Sequence, residues 1–442
     1  MRAGRREHAA HEPLISRAML ADVALTGLSF AADGTQKDGR KEVAMVAVKM
    51  AGMMFALAAS LAAGAAGARA AEITAANPAA IKAAIAAAKP GDTVVIKAGE
   101  YDMGQRVNLV GGGLKGKPIT IRCAGDTGYA VWRTRGGNRC CAISGAHLVF
   151  IGIHFDGDSK GSDDVIILQS TADNVRFTDC KFSGSGTFGV KTGRSREDAA
   201  DDLVFEHCEM FDVASTGFDM VCGDRCVLRS NYVHDFGKAG DGRTHYGIFM
   251  KGGGRRGIIE GNLVDGGRRG GVLVGISFGG GLTGEQWLPL VDGKLAPEHE
   301  DGIARNNIVM NVSDAAYHSN NAANCRWYNN LAWNCETFRH SRSYPPDPVL
   351  VNNLIQGKLR DVAAESKGNI TAVRKEWFVR ADDCDFRLTD AGKAALVGKG
   401  APVPPGENPT DFFGAKRNPG FAVVGPVLPG AERSTQWVDR RK

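Results

Sequence analysis

The strongest constraint in this sequence is a short phrase that recurs eight times and has one fixed slot, filled by asparagine in the last five copies. Apolar residues stand at alternate positions around that slot. Successive slots are 27, 28, 23, 31, 45, 23 and 23 residues apart. The slot residues are Ile153, Cys180, Cys208, Asn231, Asn262, Asn307, Asn330 and Asn353. A recurrence of this size is typical of a solenoid, in which each repeat buries its apolar face only against its neighbours.

The alternating apolar residues predict that each phrase is a β-strand. No amphipathic helix of ten or more residues separates the copies, which disfavours a parallel sheet with helical crossovers. The remaining arrangement is a coil of short strands, one turn per repeat, in which equivalent side chains stack at about the 4.8 Å strand spacing. We therefore expect the asparagines to form an internal ladder, each amide bonding the turns above and below.

The N-terminal residues differ in composition from the repeats. Residues 45–49 give a short basic start, residues 50–67 contain no charge, and Ala68 and Ala70 are small residues of the kind that a signal peptidase reads. We expect residues 45–70 to be a secretory signal and residues 1–44 to be an upstream or disordered extension. The mature protein is then expected to be secreted or periplasmic, monomeric and without stable membrane insertion. The net charge of +5 and the lack of a nucleic-acid-binding signature exclude nucleic acid as an expected partner.

Export makes the ten cysteines candidates for disulfides. Cys180 and Cys208 share the repeated slot and are expected on neighbouring coils. Two interpretations stay open for them: a bridge between the coils, or free thiols that stack as small apolar groups. None of the cysteine spacings is the paired Cys-x-x-Cys of a zinc site.

The segment before the repeats has a helical pattern followed by strands. Residues 77–89 predict a short amphipathic helix that ends before Pro90, and strands follow at 93–97 and 116–122. A helix at this place would cap the open end of a solenoid. With Ala-Gly-Glu-Tyr at 98–101 and Gly-Lys-Pro-Ile-Thr-Ile at 116–121, this order resembles the opening of secreted right-handed parallel β-helix proteins, including the chondroitinase B and alginate lyase family of polysaccharide lyases.

The resemblance covers about 75–125 for the cap and 140–356 for the repeats, and the segment from Asp385 to Gly398 resembles the closing part of such proteins. It implies an all-β fold, a right-handed parallel β-helix with a short N-terminal capping helix. We accordingly expect the cap and first coils at 71–125, the β-helix at 126–356 and a C-terminal coil and tail at 357–442. Because this fold hosts lyases, hydrolases, epimerases and scaffolds, the function must be argued from the site.

The strands that precede the asparagine phrases place polar residues on one outer face. Strict alternation puts Val190, Phe218, Ile248 and Val272 inside, and it turns outward Lys191, Asp219, Phe249, Lys251, Leu273 and Tyr317. Long segments at 194–202, 238–246 and 277–301 gather over the same turns. On a repeat scaffold, loops of this length build the walls of a binding groove, where Trp287 or Tyr246 would stack on a sugar ring.

A lyase that acts on a uronate removes the proton beside a carboxylate. This chemistry needs positive charge or Ca²⁺ against the carboxylate and a base within reach of the carbon acid. Lys251 is the candidate base, because the residues around it are similar to the segment that holds the catalytic lysine in the chondroitinase B family. The argument about outward-facing residues adds His245 and Asp219 as candidate catalytic residues. The candidate substrate-binding residues are Arg243, Tyr246, Lys191, Trp287 and Arg342.

Two departures from the family pattern keep other functions open. Tyr246 stands near the place of an acidic metal ligand, and residues 271–275 contain no arginine where the family has a catalytic one. The first alternative is a non-catalytic carbohydrate-binding or surface scaffold. The second is a glycoside hydrolase that uses Glu285, Glu298 and Glu300, which are also candidate Ca²⁺ ligands. An acidic polysaccharide is the expected partner.

Overall fold

Three long parallel sheets run along a single coil. The structure is a computed structural model that describes residues 70–432 apart from 137–138, 158–163, 194–198, 239, 268–271, 281–282, 284–287, 361–364 and 419–421. The chain winds as a right-handed parallel β-helix of about 9 turns, and successive turns add strands to sheets A, B and C in that order. Residues 1–69, which hold the predicted extension and nearly all of the predicted signal, lie outside the described part.

The strands of each sheet follow one another in chain order. Sheet A has 12 strands: Glu72–Ala75, Thr93–Ile96, Ile119–Cys123, Leu148–Ile151, Arg176–Thr178, Val204–Glu206, Val227–Arg229, Ile258–Glu260, Ile303–Arg305, Arg326–Tyr328, Val349–Val351 and Ser366–Lys367. Sheet B has 10 strands: Gly99–Gly104, Ala130–Thr134, Ile153–Asp156, Lys181–Ser183, Glu209–Met210, Tyr232–His234, Leu263–Asp265, Ile308–Met310, Leu331–Trp333 and Leu354–Ile355. Sheet C has 10 strands: Val107–Leu109, Cys141–Ile143, Ile166–Leu168, Val190–Thr192, Phe218–Val221, Thr244–Lys251, Val272–Phe278, Ala315–Asn320, Thr337–Ser341 and Lys358–Arg360.

The remaining elements are short and lie at the corners and ends of the coil. A three-stranded parallel sheet joins Gly254–Arg255, His299–Glu300 and Ala322–Ala323. Two antiparallel pairs join Leu290–Val291 with Lys294–Leu295 and Phe378–Arg380 with Asp385–Leu388. The α-helices are Pro78–Ala87 and Asp390–Leu396, and the 3₁₀ helices are Lys375–Trp377 and Ala381–Asp383. No helix in the described part of the chain is long and apolar enough to cross a membrane.

The predicted asparagine ladder is confirmed. The side-chain Oδ1 of each ladder member accepts hydrogen bonds from the backbone N–H and the Nδ2 of the asparagine one turn before it, at 2.9–3.0 Å between Asn231 and Asn262 and again between Asn330 and Asn353. Asn369 extends the ladder by one turn that the sequence analysis missed. Each buried amide thereby satisfies backbone groups that the sharp corner takes out of the sheets.

The capping helix begins and ends as the sequence predicts. The side chain of Asn77 accepts a hydrogen bond from the backbone N–H of Ala80, and a proline follows at the first helical position. Ile81 and Ala84 are the buried residues of this helix, which packs its apolar side on the first strands of the coil. The helix therefore covers apolar side chains that the first turn would otherwise leave in water.

Strict alternation was wrong at three of the positions it assigned. Val272 is 41% exposed, Leu273 is buried, and Tyr317 is buried with its hydroxyl donating to backbone carbonyls of Asn307 and Leu331. The reason lies at a column of glycines at one corner of the coil, where a Cβ on Gly247 would lie 2.8 Å from the carbonyl oxygen of Gly275. The chain bends there, so alternation restarts after the glycine and cannot be counted through it.

All ten cysteines are free thiols, so the bridge considered between Cys180 and Cys208 is not formed. Both are buried, and the Sγ of each lies against backbone carbonyl oxygens of the coil. Burial and the neighbouring thiol of Cys180 raise the pKa of the Cys208 thiol well above its ordinary value. The second interpretation, thiols that stack as small apolar groups, therefore describes the slot.

Candidate active site on the outer face of sheet C

Lys191, Asp219 and Lys251, here called the lysine cluster, lie on three consecutive strands of sheet C. Lys191 pairs in register with Asp219, and Lys251 comes from the strand on the other side. The Nζ atom of Lys191 lies 2.5 Å from Oδ2 of Asp219, and that of Lys251 lies 3.3 Å from Oδ1. The carboxylate of Asp219 is fully buried, whereas the lysine side chains are 27% and 23% exposed. One buried anion thus holds two partly exposed amines at the surface of the coil.

The two lysine contacts differ in kind. Lys191 donates a hydrogen bond to Asp219, whereas Oδ1 of Asp219, which faces Lys251, accepts no hydrogen bond. The contact of Lys251 is therefore a charge contact without hydrogen-bond geometry. Lys251 also lies over the ring of Phe249, with Nζ 4.3 Å from the ring centroid. Of the two amines, that of Lys251 is held less tightly by the carboxylate and can more readily turn toward a ligand.

An aromatic pair lies beside the lysine cluster. The rings of Tyr246 and Phe249 stack with centroids 3.9 Å apart and an interplanar angle of 13°. Phe249 is buried because Tyr246 and Gly280 cover it, and a Cβ on Gly280 would meet the ring at 2.0 Å. Tyr246 keeps part of its ring at the surface. The pair gives the face a flat apolar surface of the kind on which sugar rings stack.

The hydroxyl of Tyr246 is held in its protonated form. Burial raises the pKa of Tyr246 to about 12, and the positive charges of Arg339 and Arg342 only partly oppose that rise. The acidic neighbours Asp314 and Asp219 add to the rise. At neutral pH this hydroxyl can therefore donate a hydrogen bond or a proton, and it is not a ready base.

His245 and Arg243 are not brought together with the lysine cluster. The side chain of His245 is buried, with Nε2 2.9 Å from Oδ1 of Asp241 and Nδ1 3.3 Å from the hydroxyl of Ser215. Arg243 is exposed on the same loop, where its backbone N–H donates to Asp241. Both positions are better explained as parts of the loop that precedes the strand Thr244–Lys251, with His245 fixing the loop to the coil.

The remaining predicted ligand-binding residues have different outcomes. Arg342 is exposed at the end of sheet C, and its charge acts on both Tyr246 and His318. Trp287 lies outside the described residues, as does Glu285. Lys191 and Tyr246 lie on the same outer face as Lys251. The structure therefore assembles four of the predicted site residues with Arg342 further along the coil.

This face also carries His318, which the sequence analysis missed, and Arg339, which precedes Arg342 in a basic segment that could hold acidic sugars. The outward column continues in register from Phe249 through Ser277 to His318 and then Arg339. Arg339 forms a bidentate pair with Asp314 at 2.9 and 2.8 Å. Burial and, after it, the positive charges of Arg339, Arg342 and His340 together lower the pKa of His318 to about 3, so this imidazole is neutral at pH 7. His318 could have been found from the sequence, because it directly follows Tyr317. Once Tyr317 is recognised as buried, alternation turns His318 to the outer face.

Of the carboxylates proposed for hydrolysis or Ca²⁺ binding, Glu298 and Glu300 lie in the described part of the chain, and they differ in burial. Glu298 is fully buried and accepts hydrogen bonds from the backbone N–H groups of Gly252 and Thr283 and from the Thr283 hydroxyl. Glu300 belongs to the short strand that follows and is half-buried. Within the described residues, no group of three or more His, Cys, Asp or Glu side chains is placed to hold a metal ion. Glu298 instead fixes the segment after Gly279 against the residue next to Lys251.

Two concave sites lie away from the lysine cluster. One, of about 410 Å³, is lined by residues that include Trp333, Asn334 and Gln356. The other, of about 220 Å³, is lined by residues that include Glu300, Pro289 and Tyr344. Neither of these two sites contains Lys251 or Asp219.

Comparison with known proteins gives two family matches. Residues 164–355 match the model described as right handed beta helix region, and residues 75–210 match the model described as chondroitinase B. The chain is similar in fold to polysaccharide lyases. No curated protein matches it. The matches confirm the predicted right-handed parallel β-helix and its likeness, at the level of fold, to the chondroitinase B and alginate lyase family.

Solved structures of similar shape include enzymes of two reaction classes. A pectate lyase, Pel9A, is 13% identical with a TM-score of 0.58, over 82% of this chain and 97% of that one. An alginate lyase from Paenibacillus sp. str. FPU-7 is 18% identical with a TM-score of 0.43, over 67% and 97%. A GH136 lacto-N-biosidase from Eubacterium ramulus is 11% identical with a TM-score of 0.43, over 68% and 67%. At these identities the likeness shows the fold alone.

Proposed function

We propose that this β-helix acts on a carbohydrate and cleaves an acidic, uronate-containing polysaccharide by β-elimination on the outer face of sheet C. The observation that carries the proposal is the lysine cluster, in which the buried carboxylate of Asp219 holds Lys191 and Lys251 side by side. Two amines beside an aromatic pair offer both a partner for a substrate carboxylate and a base. The chondroitinase B match and the pectate lyase likeness support the reaction class.

In the proposed reaction, Lys191 binds the carboxylate of the sugar and so stabilises the charge that develops on it. Lys251, in its uncharged form, takes the proton from the carbon beside that carboxylate. The electron pair forms a carbon–carbon double bond, and the bond to the glycosidic oxygen breaks. Tyr246, whose pKa is raised to about 12 by burial, donates its proton to that leaving oxygen. Solvent then returns the proton from Lys251 to Tyr246, so no water is consumed in the bond cleavage.

The test is an assay for unsaturated products, which absorb in the near ultraviolet, on a panel of uronate-containing polysaccharides. We expect Lys251→Ala to lower kcat by about 10² to 10⁴. The matched control is Lys181→Ala, because Lys181 is also ion-paired on the outer side of a strand, but in sheet B with Glu209. Activity that survives in Lys251→Ala would overturn the lyase proposal, and new reducing ends without unsaturation would indicate a hydrolase.

A second candidate function is carbohydrate binding without cleavage. The observation that favours it is that both lysines lie against the one carboxylate of Asp219, at 2.5 and 3.3 Å, beside the stacked rings of Tyr246 and Phe249. Two amines beside an aromatic surface can bind an acidic sugar without any proton transfer. Retention on an acidic glycan array, with no product released in the same buffer, would support this function against the lyase.

We also propose that the chain is exported and that residues 45–70 are removed. The support is the order of basic start, uncharged stretch and small residues. N-terminal sequencing of the protein from its native host tests this, since a mature chain that begins at Ala71 is expected. A mature chain that still carries Met45 would overturn it. A monomer is the expected state, and sedimentation velocity at several concentrations would reveal an oligomer.

A further inference from the structure

We propose that Arg342 forms a second anion-binding subsite, which takes a carboxylate or sulfate on a sugar further along the polymer chain bound at the lysine cluster. The inference rests on the proposed function for the identity of the polymer, but not for the existence of the subsite. Arg342 directly follows the strand Thr337–Ser341, which lies three strands beyond that of Lys251. At about 4.8 Å for each strand, the two sites are on the order of 10–14 Å apart, or about two to three sugars.

Arg342 is the cation on this part of the face that remains available. Arg339 is neutralised by its bidentate pair with Asp314, at 2.9 and 2.8 Å. Arg342 is exposed and forms no ion pair with any residue that the structure describes. It directly follows Ser341, whose hydroxyl lies 2.7 Å from Nε2 of His318, so it stands beside the outward column of sheet C. A guanidinium at this position offers an anion a charged, bidentate donor.

The backbone of Arg342 is fixed before any ligand binds. Its φ is +50°, in the left-handed region, at a corner where earlier coils have Gly193, Gly252 and Gly279 with positive φ. The backbone N–H of Asn321 donates to the carbonyl oxygens of both Ser341 and Arg342, at 3.1 and 3.0 Å. A conformation that is costly for arginine is thus held by the coil, which reduces the ordering cost of binding.

His318 contacts the residue that precedes Arg342 at this corner. Its Nε2 lies 2.7 Å from the hydroxyl of Ser341, the residue before Arg342, and its Nδ1 is buried without a hydrogen-bond partner in the described part of the protein. Oδ1 of Asn320 is likewise buried and unpartnered. Polar atoms of this kind are costly to bury, so their concentration beneath Arg342 points to a site that is built for a polar ligand and its bound water. We assign His318 as a positioning residue.

Direct binding separates this subsite from catalysis. Wild-type protein and the Lys251→Ala variant are titrated by calorimetry with oligosaccharides of two to eight sugars, from polygalacturonate and from chondroitin sulfate with and without its sulfate. We expect the affinity to rise stepwise when the oligosaccharide is long enough to reach Arg342. Arg342→Gln is expected to remove that step, which corresponds to about a tenfold to hundredfold weaker Kd for long oligosaccharides, with short ones unchanged. A step seen with polygalacturonate indicates that the subsite takes a carboxylate. A step that requires the sulfate of chondroitin sulfate indicates that it takes a sulfate.

The matched control is Arg256→Gln. Arg256 is also an exposed arginine with a positive φ, at +56°. It directly follows the strand Gly254–Arg255 and lies near Asp224. His318→Gln is expected to weaken Kd for long oligosaccharides by less than Arg342→Gln while KM rises and kcat is kept. The subsite proposal is overturned if Arg342→Gln weakens the binding of short and long oligosaccharides equally, or if it weakens the binding of neither. A wild type that shows the length step but releases no unsaturated product would instead overturn the lyase proposal alone.

Discussion

Sheets A and C both carry charged side chains in register along their outer faces, and the two columns are arranged differently. On sheet A the charge alternates from coil to coil through Glu206, Arg229, Glu260 and Arg305. Nε of Arg305 lies 2.6 Å from Glu260, and Arg176 lies 2.6 Å from Glu206. On sheet C the corresponding order is Lys191, Asp219, Phe249, Ser277, His318 and Arg339, in which alternation stops at the aromatic residue.

The difference shows that one repeat scaffold can use a charged column for stability on one sheet and leave another column open to a ligand. The column on sheet A ends under the C-terminal segment, where Glu407 receives hydrogen bonds from Arg326 at 2.7 Å and from Tyr328 at 2.6 Å. Each charge there has a partner one coil away, and no place remains for a ligand. On sheet C two lysines share one carboxylate, and the coils beyond offer neutral or unpaired groups. An incomplete ladder of charges therefore marks the face that is open to an acidic ligand.

The largest expected effect comes from removing the shared carboxylate on each face. Asp219→Asn separates the two lysines of the lysine cluster, so we expect activity on the polysaccharide to fall by about 10² or more. Glu260→Gln removes the carboxylate between Arg229 and Arg305 and should leave activity within about twofold. Because both changes break a buried or nearly buried ion pair, both should lower the free energy of unfolding by about 2–4 kcal/mol. Product formation and denaturant unfolding, measured on both variants, check this.

Equal losses of activity in Asp219→Asn and Glu260→Gln would remove the distinction between the two columns. Such a result would mean that activity follows the stability of the coil and not the arrangement of charges on sheet C. A variant of Asp219 that keeps full activity would also contradict the assignment of Asp219 as the residue that holds the two lysines.

Acid should weaken the two faces in different pH ranges. Burial lowers the pKa of His318 to about 3 from the ordinary 6.5. A lowered histidine pKa contributes stability that is present above pH 6.5 and is lost as the pH falls toward 3. For Glu206, burial raises the pKa, but the hydrogen bond and charge of Arg176 outweigh it, so the pKa lies below the ordinary 4.5. Its stabilisation is present above pH 4.5 and is lost only as the pH falls below that value.

The stability of the wild type should therefore fall by about 2–3 kcal/mol through His318 alone between pH 6.5 and 4.5. His318→Gln should flatten the curve of stability against pH in that window, whereas Glu206→Gln should change the curve only below it. Urea unfolding at half-unit steps of pH measures both. The same slope in wild type and His318→Gln would mean that other groups, such as the buried His299, dominate the acid response.

The fold could be predicted from the sequence because its repeating chemistry is local. From Asn231 onward, the asparagine at one corner makes the same two bonds to the asparagine of the next turn, so a spacing and a residue type sufficed to find the ladder. Asn369 was missed because it follows Asn353 by only 16 residues, and its phrase begins with Ser366 and Lys367 instead of apolar residues. The same local rule placed Lys191, Asp219 and Lys251 on one face.

The remainder of the site depends on contacts that no local pattern contains. The strand patterns were aligned from Gly271 and Ala316, whereas the structure pairs Ile248 with Ile276 and Ile276 with Tyr317. Tyr317 was therefore placed outward, and His318 was overlooked. His245 was included because it is near Lys251 in sequence, but its side chain is turned to Asp241 and Ser215. The role of Glu298 depends on an insertion that returns to Gly252 over 46 residues of chain, which spacing alone does not predict.

Glu298 offers a smaller effect on the same face. It accepts a hydrogen bond from the N–H of Gly252 at 3.0 Å and from that of Thr283 at 2.7 Å, so it positions the backbone next to Lys251. Glu298→Gln places an amide where donors already converge, and we expect kcat to fall about tenfold with little change in KM. Glu300→Gln, two residues further along the chain and half-buried, is the control. Parallel losses in kcat and in thermal stability across both variants would reduce Glu298 to a structural residue.

The smallest expected effect tests the column on sheet A at its most exposed member. Arg229 is 44% exposed and lies between Glu260 and Glu206, the latter at 3.7 Å. Because water and salt screen such pairs, Arg229→Gln should lower the free energy of unfolding by less than about 1 kcal/mol, and 1 M salt should shrink the difference further. Denaturant unfolding at low and high salt measures this, with activity as the second readout. A large loss of activity in Arg229→Gln would show that sheet A also contacts the polysaccharide, and the contrast between the two columns would then fail.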